Sequence, residues 1–328
     1  MPLPLVWLDK RTEVEMFGFE KLHIGAAEDL DAITGCTLLI FEGGARASVD
    51  VRGASPGTRE IALLAPDKQM DRIDAILLTG GSAYGLAAAT GVMRFLSEHK
   101  MGYATPWKVV PIVPSAVIFD FNIGSPDKFP DENMGYSACQ SAVRDEFRQG
   151  SHGAGTGATV GKWSGIKRAM KSGQGLGIVE SGKLKVIAVA VVNAVGDVFD
   201  TSGKIIAGAI SNGKFVVESS RESDRISKAA LLGTNTTLVA VVTNANLTKV
   251  ELNRLAQRSH DALAKRIVPV HTSFDGDTVF AVSMGEFDAP LDLVASLAVD
   301  AVSDAIVDAV KSAEPLGGFV SLSSLMKR

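Results

Sequence analysis

Thr234-Asn235-Thr236-Thr237-Leu238-Val239-Ala240-Val241-Val242-Thr243-Asn244 is a polar turn that runs straight into an unbroken β-branched and apolar stretch. Closed by Asn244-Ala245-Asn246, it reads as a strand buried on both faces, because neither alternate set of positions is polar enough to meet water. Thr236 then stands at the mouth of that strand. Taken locally, Asn-Thr-Thr is no more than the turn that leads into it.

The rest of the chain lacks the usual means of activating a hydroxyl. His23, His99, His152, His260 and His271 stand in no Ser/His/Asp pattern, and no Gly-x-Ser-x-Gly elbow occurs. A threonine can do without histidine if its own α-amine is the base, but the preceding peptide bond, here Asn235-Thr236, must first be cut.

With 328 residues, 46% hydrophobic and 21% charged, the chain can bury a sizeable core, and disorder is excluded. A net charge of -4 without a basic cluster gives no footing for nucleic acid or an anionic membrane. Cys36 and Cys139 lie far apart with no metal-binding spacing, so they read as buried reduced thiols rather than a disulfide framework or zinc site. Lys10 and Arg11 follow the apolar start, the reverse of a secretory signal, and the aliphatic run 186–192 is too short to span a bilayer. The expectation is a cytoplasmic protein.

The pattern predicts strands at 22–26, 37–41 and 45–51, the last two joined as a hairpin by Gly43-Gly44. A buried strand at 73–78 leads through Gly80-Gly81 to a helix capped by Ser82 and running to about residue 98. The spacing Gly80, Gly81, Gly85 is not the dinucleotide fingerprint. Strands at 108–113 and 115–121 and a helix at 134–147 follow, then a Gly/Ser/Thr-rich stretch, 150–165, that contains Lys162 and reads as a surface loop. Strands 175–180 and 183–192 form a hairpin through Ser181-Gly182, and the second delivers Asn193 at its end. Asn212-Gly213 joins 205–210 to 214–218, and 218–228 is a polar linker leading to Asn235-Thr236. Thr248 and Glu251 form a capping box for a helix to about residue 267. Asp275-Gly276-Asp277 turns into a strand at 278–283, a helix covers 291–311, and a final strand lies at 319–322. Strands outnumber helices and arrive as hairpins, several apolar on both faces, which two stacked sheets covered outside by helices would satisfy.

Read in order, several motifs carry a family resemblance. They are Asn235-Thr236-Thr237-Leu238, Val241-Val242-Thr243-Asn244, Val250-Glu251-Leu252-Asn253, Pro269-Val270-His271-Thr272 and Asp275-Gly276-Asp277-Thr278. Earlier in the chain stand Thr34-Gly35-Cys36-Thr37, Asp50-Val51-Arg52-Gly53, Leu78-Thr79-Gly80-Gly81-Ser82-Ala83-Tyr84-Gly85 and Val117-Ile118-Phe119-Asp120-Phe121. Over nearly its whole length the chain resembles the nylon-oligomer hydrolases, the 6-aminohexanoate-oligomer endohydrolases. These belong to the wider family of self-cleaving N-terminal-nucleophile aminopeptidases and amidases typified by DmpA and the β-aminopeptidases.

The resemblance implies a four-layer α/β/β/α sandwich, of the type shared with the ornithine acetyltransferases. It implies one domain, 1–328, nicked between Asn235 and Thr236 into chains 1–235 and 236–328. Thr236 would be the nucleophile, Lys162 a cation beside its amine, Asn193 an oxyanion donor, and Asp275 and Asp277 an acidic pair at the hydroxyl and ammonium, with no metal and no cofactor. Gly80, Gly81 and Ser82 would lie beside the site with their N–H groups toward a substrate carbonyl. Phe119 would line the pocket where relatives carry a tyrosine, one phenol donor fewer.

The implied activity is hydrolysis of linear amides, of endo type on nylon oligomers. An aminopeptidase for small or β-amino N-terminal residues, an acyltransferase and an unprocessed binding protein are the alternatives. The implied partners are the amide substrate, the protein's own cleaved chain, and further copies in a symmetric dimer or tetramer of the two-chain unit.

Overall fold

The computed structural model describes residues 17–144, 146–216, 222–226 and 235–326. The strands that carry the core are β1 (Leu22–Asp29), β2 (Thr34–Val51), β3 (Arg72–Thr79), β4 (Ser115–Val117), β5 (Gln174–Ser181), β6 (Leu184–Asn193), β7 (Thr236–Ala245) and β8 (Thr278–Phe287). The longer helices are α1 (Ala88–Glu98), α2 (Glu132–Gln140), α3 (Lys249–Arg266) and α4 (Leu291–Lys311).

All ten residues of β7 are buried, and strand alternation explains how. Leu238, Ala240 and Val242 point to one side, where Ile187, Val189 and Val191 of β6 and Phe280 and Val282 of β8 join Leu39, Phe41, Ile76 and Leu78 of β2 and β3. Val239 and Val241 point to the other, against Leu252, Leu255 and Leu263 of α3 and Val294, Val302 and Ile306 of α4. Both faces of the strand are therefore interior, and the continuous apolar run is what that position requires.

With the short strands Thr58–Arg59 on β4 and Val143–Arg144 on β1, they form a ten-stranded sheet ordered β5-β6-β7-β8-β2-β3-β4, with β1 on β2. β7 and β8 run parallel, while β6 pairs antiparallel with β7. Strand β2 serves both halves. Its first part pairs with β1 and β3, and Arg46 to Val51 pair with β8. Between them the register shifts at 40–45, with Gly43 and Gly44 at φ 81° and 75°, a bulge that turns the strand from one half of the sheet to the other. The halves stack face to face. Helices α1 and α2 pack Ala88, Val92, Phe95 and Cys139 on Cys36, Leu38, Ile40, Ala75 and Leu77, the outer face of the β1–β4 half. The result is the α/β/β/α sandwich that the resemblance implied. Among the described residues no helix is long and apolar enough to cross a membrane.

Several local expectations are corrected. Gly43-Gly44 bends one strand instead of joining two. The helix expected from Ser82 is interrupted, as Ser82–Gly85 and then α1, and Ser82 itself has φ 50° without a side-chain cap. Helix α2 starts earlier, capped by Asp131 on Met134 N–H, and ends at Gln140 because Val143 and Arg144 pair with β1. Only Val109–Val110 and Ser115–Val117 of the two strands expected around Pro114 are extended. Residues 319–322 form no strand; Ser321 begins the helix Leu322–Leu325. Ile205–Ala207 pairs with Asp197–Phe199, and the Asn212-Gly213 turn joins Ile210–Ser211 to Lys214–Phe215. The linker at 218–228 lies outside the described residues apart from the helix Glu222–Ile226.

The stretch 150–165 is the largest departure, since residues 153–163 are buried. Lys171, itself buried, donates from Nζ to the carbonyls of Gly155, Ala158 and Ser172 at 3.0, 3.1 and 2.5 Å, which ties the segment down. An ammonium that satisfies so many inward carbonyls lets an irregular segment sit in the interior.

Candidate active site

Asn193 and Thr236 are the last register partners of β6 and β7. Asn193 continues the inward series Ile187, Val189, Val191, and Thr236 begins the series Leu238, Ala240, Val242, so both side chains belong to the face between the half-sheets. Both are buried.

The third partner comes from the chain just before β8. Asn235 bridges Asp275 in parallel register, which lays Asp275-Gly276-Asp277 alongside Asn235-Thr236-Thr237. Gly276 N–H donates to the Asn235 carbonyl at 3.1 Å and to Thr236 Oγ1 at 3.2 Å. The Thr236 hydroxyl in turn donates to the same Asn235 carbonyl oxygen. A Cβ at position 276 would lie 2.8 Å from Thr236 Oγ1 and 2.9 Å from the Ser55 carbonyl, so glycine is needed for this approach. The loop after β2 holds the segment from its other side, through Ser55 N–H to the Asp275 carbonyl at 2.8 Å and Arg52 N–H to the Asp277 carbonyl at 3.0 Å.

The two carboxylates are engaged differently. Asp277 Oδ1 accepts from Thr237 N–H at 2.6 Å, and its Oδ2 lies 2.8 Å from His271 Nδ1. Asp275 Oδ2 accepts from the Thr272 hydroxyl at 2.6 Å and the Thr272 N–H at 2.9 Å. Burial, and then the Asp277 charge, push the Asp275 carboxyl up to about 6.

Lys162 enters from the buried 150–165 segment, on a short helical turn that follows Gly161. Its Nζ donates to Asn193 Oδ1 at 2.7 Å and to the Asn193 carbonyl at 3.0 Å. Burial lowers the Lys162 ammonium to about 7, against the charges of Asp275 and Asp120, which act to raise it. An acid and a base of opposite charge type are thereby both brought close to neutrality in one buried site. With Oδ1 taken by Lys162, the Asn193 amide turns its Nδ2 toward the Phe119 carbonyl at 3.0 Å.

The structure thus brings Asn235, Thr236, Lys162, Asn193, Asp275 and Asp277 to one place. Phe119 belongs there through its carbonyl, and its ring meets Phe121 edge-on at 5.4 Å. The Gly80, Gly81 and Ser82 N–H groups donate inward to the Gly35 carbonyl, Asp120 Oδ1 and the Ile118 carbonyl, at 2.8, 2.7 and 2.9 Å. That corrects the expectation that they face a substrate carbonyl.

Sequence reasoning passed over His271, Thr272 and Asp120, although each stands inside a quoted motif. Asp120 is buried, accepts from Thr34 Oγ1 at 2.7 Å, and is held above the usual carboxylate range by burial. It also missed Asp197, which accepts from Trp163 Nε1 at 2.8 Å and pairs with Arg225 at 3.3 Å. That buried pair ties the helix ahead of Thr236 to the residue beside Lys162.

Peptidase family S58 matches residues 16–322 of the chain. The chain is 38% identical over 326 residues to an uncharacterized aminopeptidase of Mycobacterium tuberculosis, covering 92% of each. It is 35% identical over 286 residues to the 6-aminohexanoate-oligomer endohydrolase of Agromyces sp., covering 85% of this chain and 77% of that one. The solved L-aminopeptidase D-Ala-esterase/amidase from Ochrobactrum anthropi, described as a variant of the Ntn-hydrolase fold, superposes with a TM-score of 0.72. At 18% identity, over 98% of this chain and 97% of that one, it shares the fold. The chain therefore belongs to peptidase family S58 and is a hydrolase of amide bonds.

Proposed function

We propose that the chain cuts itself between Asn235 and Thr236 and then hydrolyses linear amides with the freed N-terminal Thr236. The observation that carries this reading is the Thr236 hydroxyl lying on the Asn235 carbonyl oxygen while Gly276 N–H donates to both. Oγ1 attacks the Asn235 carbonyl carbon, the C–N bond breaks as nitrogen takes a proton, and an ester joins Asn235 to Thr236. Water hydrolyses that ester, leaving a carboxylate on Asn235 and an α-amine on Thr236. Gly276 N–H points at the oxygen on which negative charge develops, where a fixed donor is most effective.

Before the cut Thr236 has no free amine, so a side chain must take the hydroxyl proton, and Asp275 with its raised carboxyl is the group we assign to it. After the cut the α-amine, with a reference pKa of about 7.7–8.0, is the base for substrate turnover. Lys162 and Asn193 supply the cation and the amide that steady each oxyanion. The cleaved chains stay together, because β7 pairs along its length with β6 of the other piece.

Endo cleavage of oligomeric amides is favoured because the acidic pair is occupied. Asp277 is engaged on both oxygens, and Asp275 holds Thr272 with one oxygen and in this reading serves the Thr236 hydroxyl with the other, which leaves no dedicated anion for a substrate ammonium. A second reading, aminopeptidase action, draws on the similarity to the mycobacterial aminopeptidase. Free and N-acetylated linear aminohexanoate oligomers separate the two. An endo-amidase keeps kcat/KM on the blocked oligomer within about tenfold, the size of a lost charge-assisted contact, and cuts internal bonds early. Release of single N-terminal units only, with no action on the blocked oligomer, assigns an aminopeptidase.

A further inference from the structure

His271 and Thr272 treat neighbouring carboxylates alike. His271 offers Asp277 Oδ2 its backbone N–H at 3.1 Å and its ring Nδ1 at 2.8 Å. Thr272 offers Asp275 Oδ2 its backbone N–H at 2.9 Å and its hydroxyl at 2.6 Å. Consecutive residues thus grip both members of the acidic pair, each by one oxygen. The other Asp277 oxygen holds Thr237 N–H, one residue beyond the nucleophile. In the tautomer with its proton on Nδ1, the ring donates to this oxygen beside the backbone N–H.

His271 makes these contacts from a left-handed backbone, φ 54°. A side chain other than glycine stays there only where its surroundings over-determine it, and such strain gathers at working sites. The surroundings are visible: buried His260 of α3 meets the His271 ring edge-on, with centroids 4.8 Å apart, and is itself 3.2 Å from the Asp50 carbonyl.

We propose that His271-Thr272 is a positioning clamp for the reaction, an inference that rests on Thr236 being the nucleophile. His271 locks Asp277 against Thr237 N–H and so fixes the backbone that carries Thr236. Thr272 locks Asp275 beside Asn235, with the second oxygen of that carboxylate left for the hydroxyl proton. Both residues act through the two aspartates, so losing the clamp is expected to lower kcat and leave KM in place.

The test compares His271→Gly, His271→Asn and Thr272→Val with the full-length wild type. Glycine suits the positive φ and keeps the backbone N–H, so of the two bonds to Asp277 it removes only the ring one, together with the edge contact to His260 that asparagine also loses. Asparagine also tolerates this φ and presents an amide donor in place of Nδ1. His271→Gly is expected to slow self-cleavage and kcat by about ten- to a hundredfold, the loss of one hydrogen bond to a charged group, with KM unchanged. His271→Asn is expected to restore most of that loss, and Thr272→Val to lower kcat by about tenfold.

Wild-type rates in His271→Gly, or an Asn variant as slow as the Gly variant while both melt cooperatively, overturn the clamp. If His271→Gly does not fold, Thr272→Val decides, and a wild-type kcat there overturns it. A wild-type chain never cut at Asn235-Thr236 removes the amidase reading itself. Equal cutting of wild type and variant removes only the clamp.

Discussion

Asn193 and Thr236 face each other across the end of an antiparallel strand pair, as the last partners in its register. Two residues 43 positions apart are thereby held together by backbone hydrogen bonding, and Lys162 reaches the pair through Asn193 Oδ1 at 2.7 Å. Asn193→Ala and Lys162→Ala are expected to slow self-cleavage and amide hydrolysis by about 10²- to 10³-fold, as when an oxyanion donor is removed. Both variants should still melt cooperatively. Timed gel analysis together with turnover on a linear amide checks this, and wild-type rates in either variant contradict the assigned role.

The glycine between the aspartates offers a sharper geometric test. Gly276→Ala places a methyl group 2.8 Å from Thr236 Oγ1, with the Ser55 carbonyl at 2.9 Å on its flank. Neither neighbour is the end of a long flexible side chain, so the nucleophile must move. Misplacing a reacting atom by about 1 Å costs on the order of 10²-fold. The expected outcome is a folded chain that cleaves at least that much more slowly, read from the first-order rate of self-cleavage.

The pH dependence follows from two groups. Asp275, raised to about 6, accepts a proton only when ionised, so self-cleavage rises as pH climbs through that value. Lys162, lowered to about 7, steadies an oxyanion only as a cation, so the rate falls as pH rises past that value. The expected profile is a narrow bell whose limbs belong to the coupled pair. Asp275→Asn should abolish the acidic limb, and Lys162→Gln the alkaline one, each with a lower maximum. A flat wild-type profile from about pH 5 to about pH 9 contradicts both assignments.

Core packing gives a prediction independent of the chemistry. Leu238 is fully buried between the half-sheets, two residues from Thr236 on the same face. Leu238→Ala should lower stability by about 2–5 kcal/mol through lost burial and the cavity left behind. Denaturant unfolding of Thr236→Ala and of Thr236→Ala/Leu238→Ala, both uncut in this account, measures that difference without interference from cleavage.

How much was legible follows the physics of each signal. β7 was readable because burial on both faces leaves a continuous apolar run, and α3 because Thr248 and Glu251 spell out its cap. The burial of the 150–165 segment is not legible, since Gly, Ser and Thr look the same in a surface loop and in a buried one whose carbonyls are met by Lys171. Gly43-Gly44 suits a hairpin and a bulge equally, and only the pairing of β2 with both β3 and β8 decides. For the site, the motifs point to residues that the structure gathers in one place, but pairings made only in three dimensions stay hidden. His271 shows no Ser/His/Asp spacing, yet it sits 2.8 Å from Asp277. The Gly81 N–H is spent on Asp120, a partner 39 residues away that no local pattern reveals.

The central claim is that Thr236 attacks its own upstream peptide bond, and intact-mass analysis with N-terminal sequencing of purified wild type and Thr236→Ala tests it most directly. The account expects the wild-type 34.4 kDa chain to resolve into pieces of about 25 and about 10 kDa, the smaller beginning at Thr236, and the alanine variant to stay whole. A wild-type chain that hydrolyses amides while remaining intact, or one cut at another bond, contradicts it.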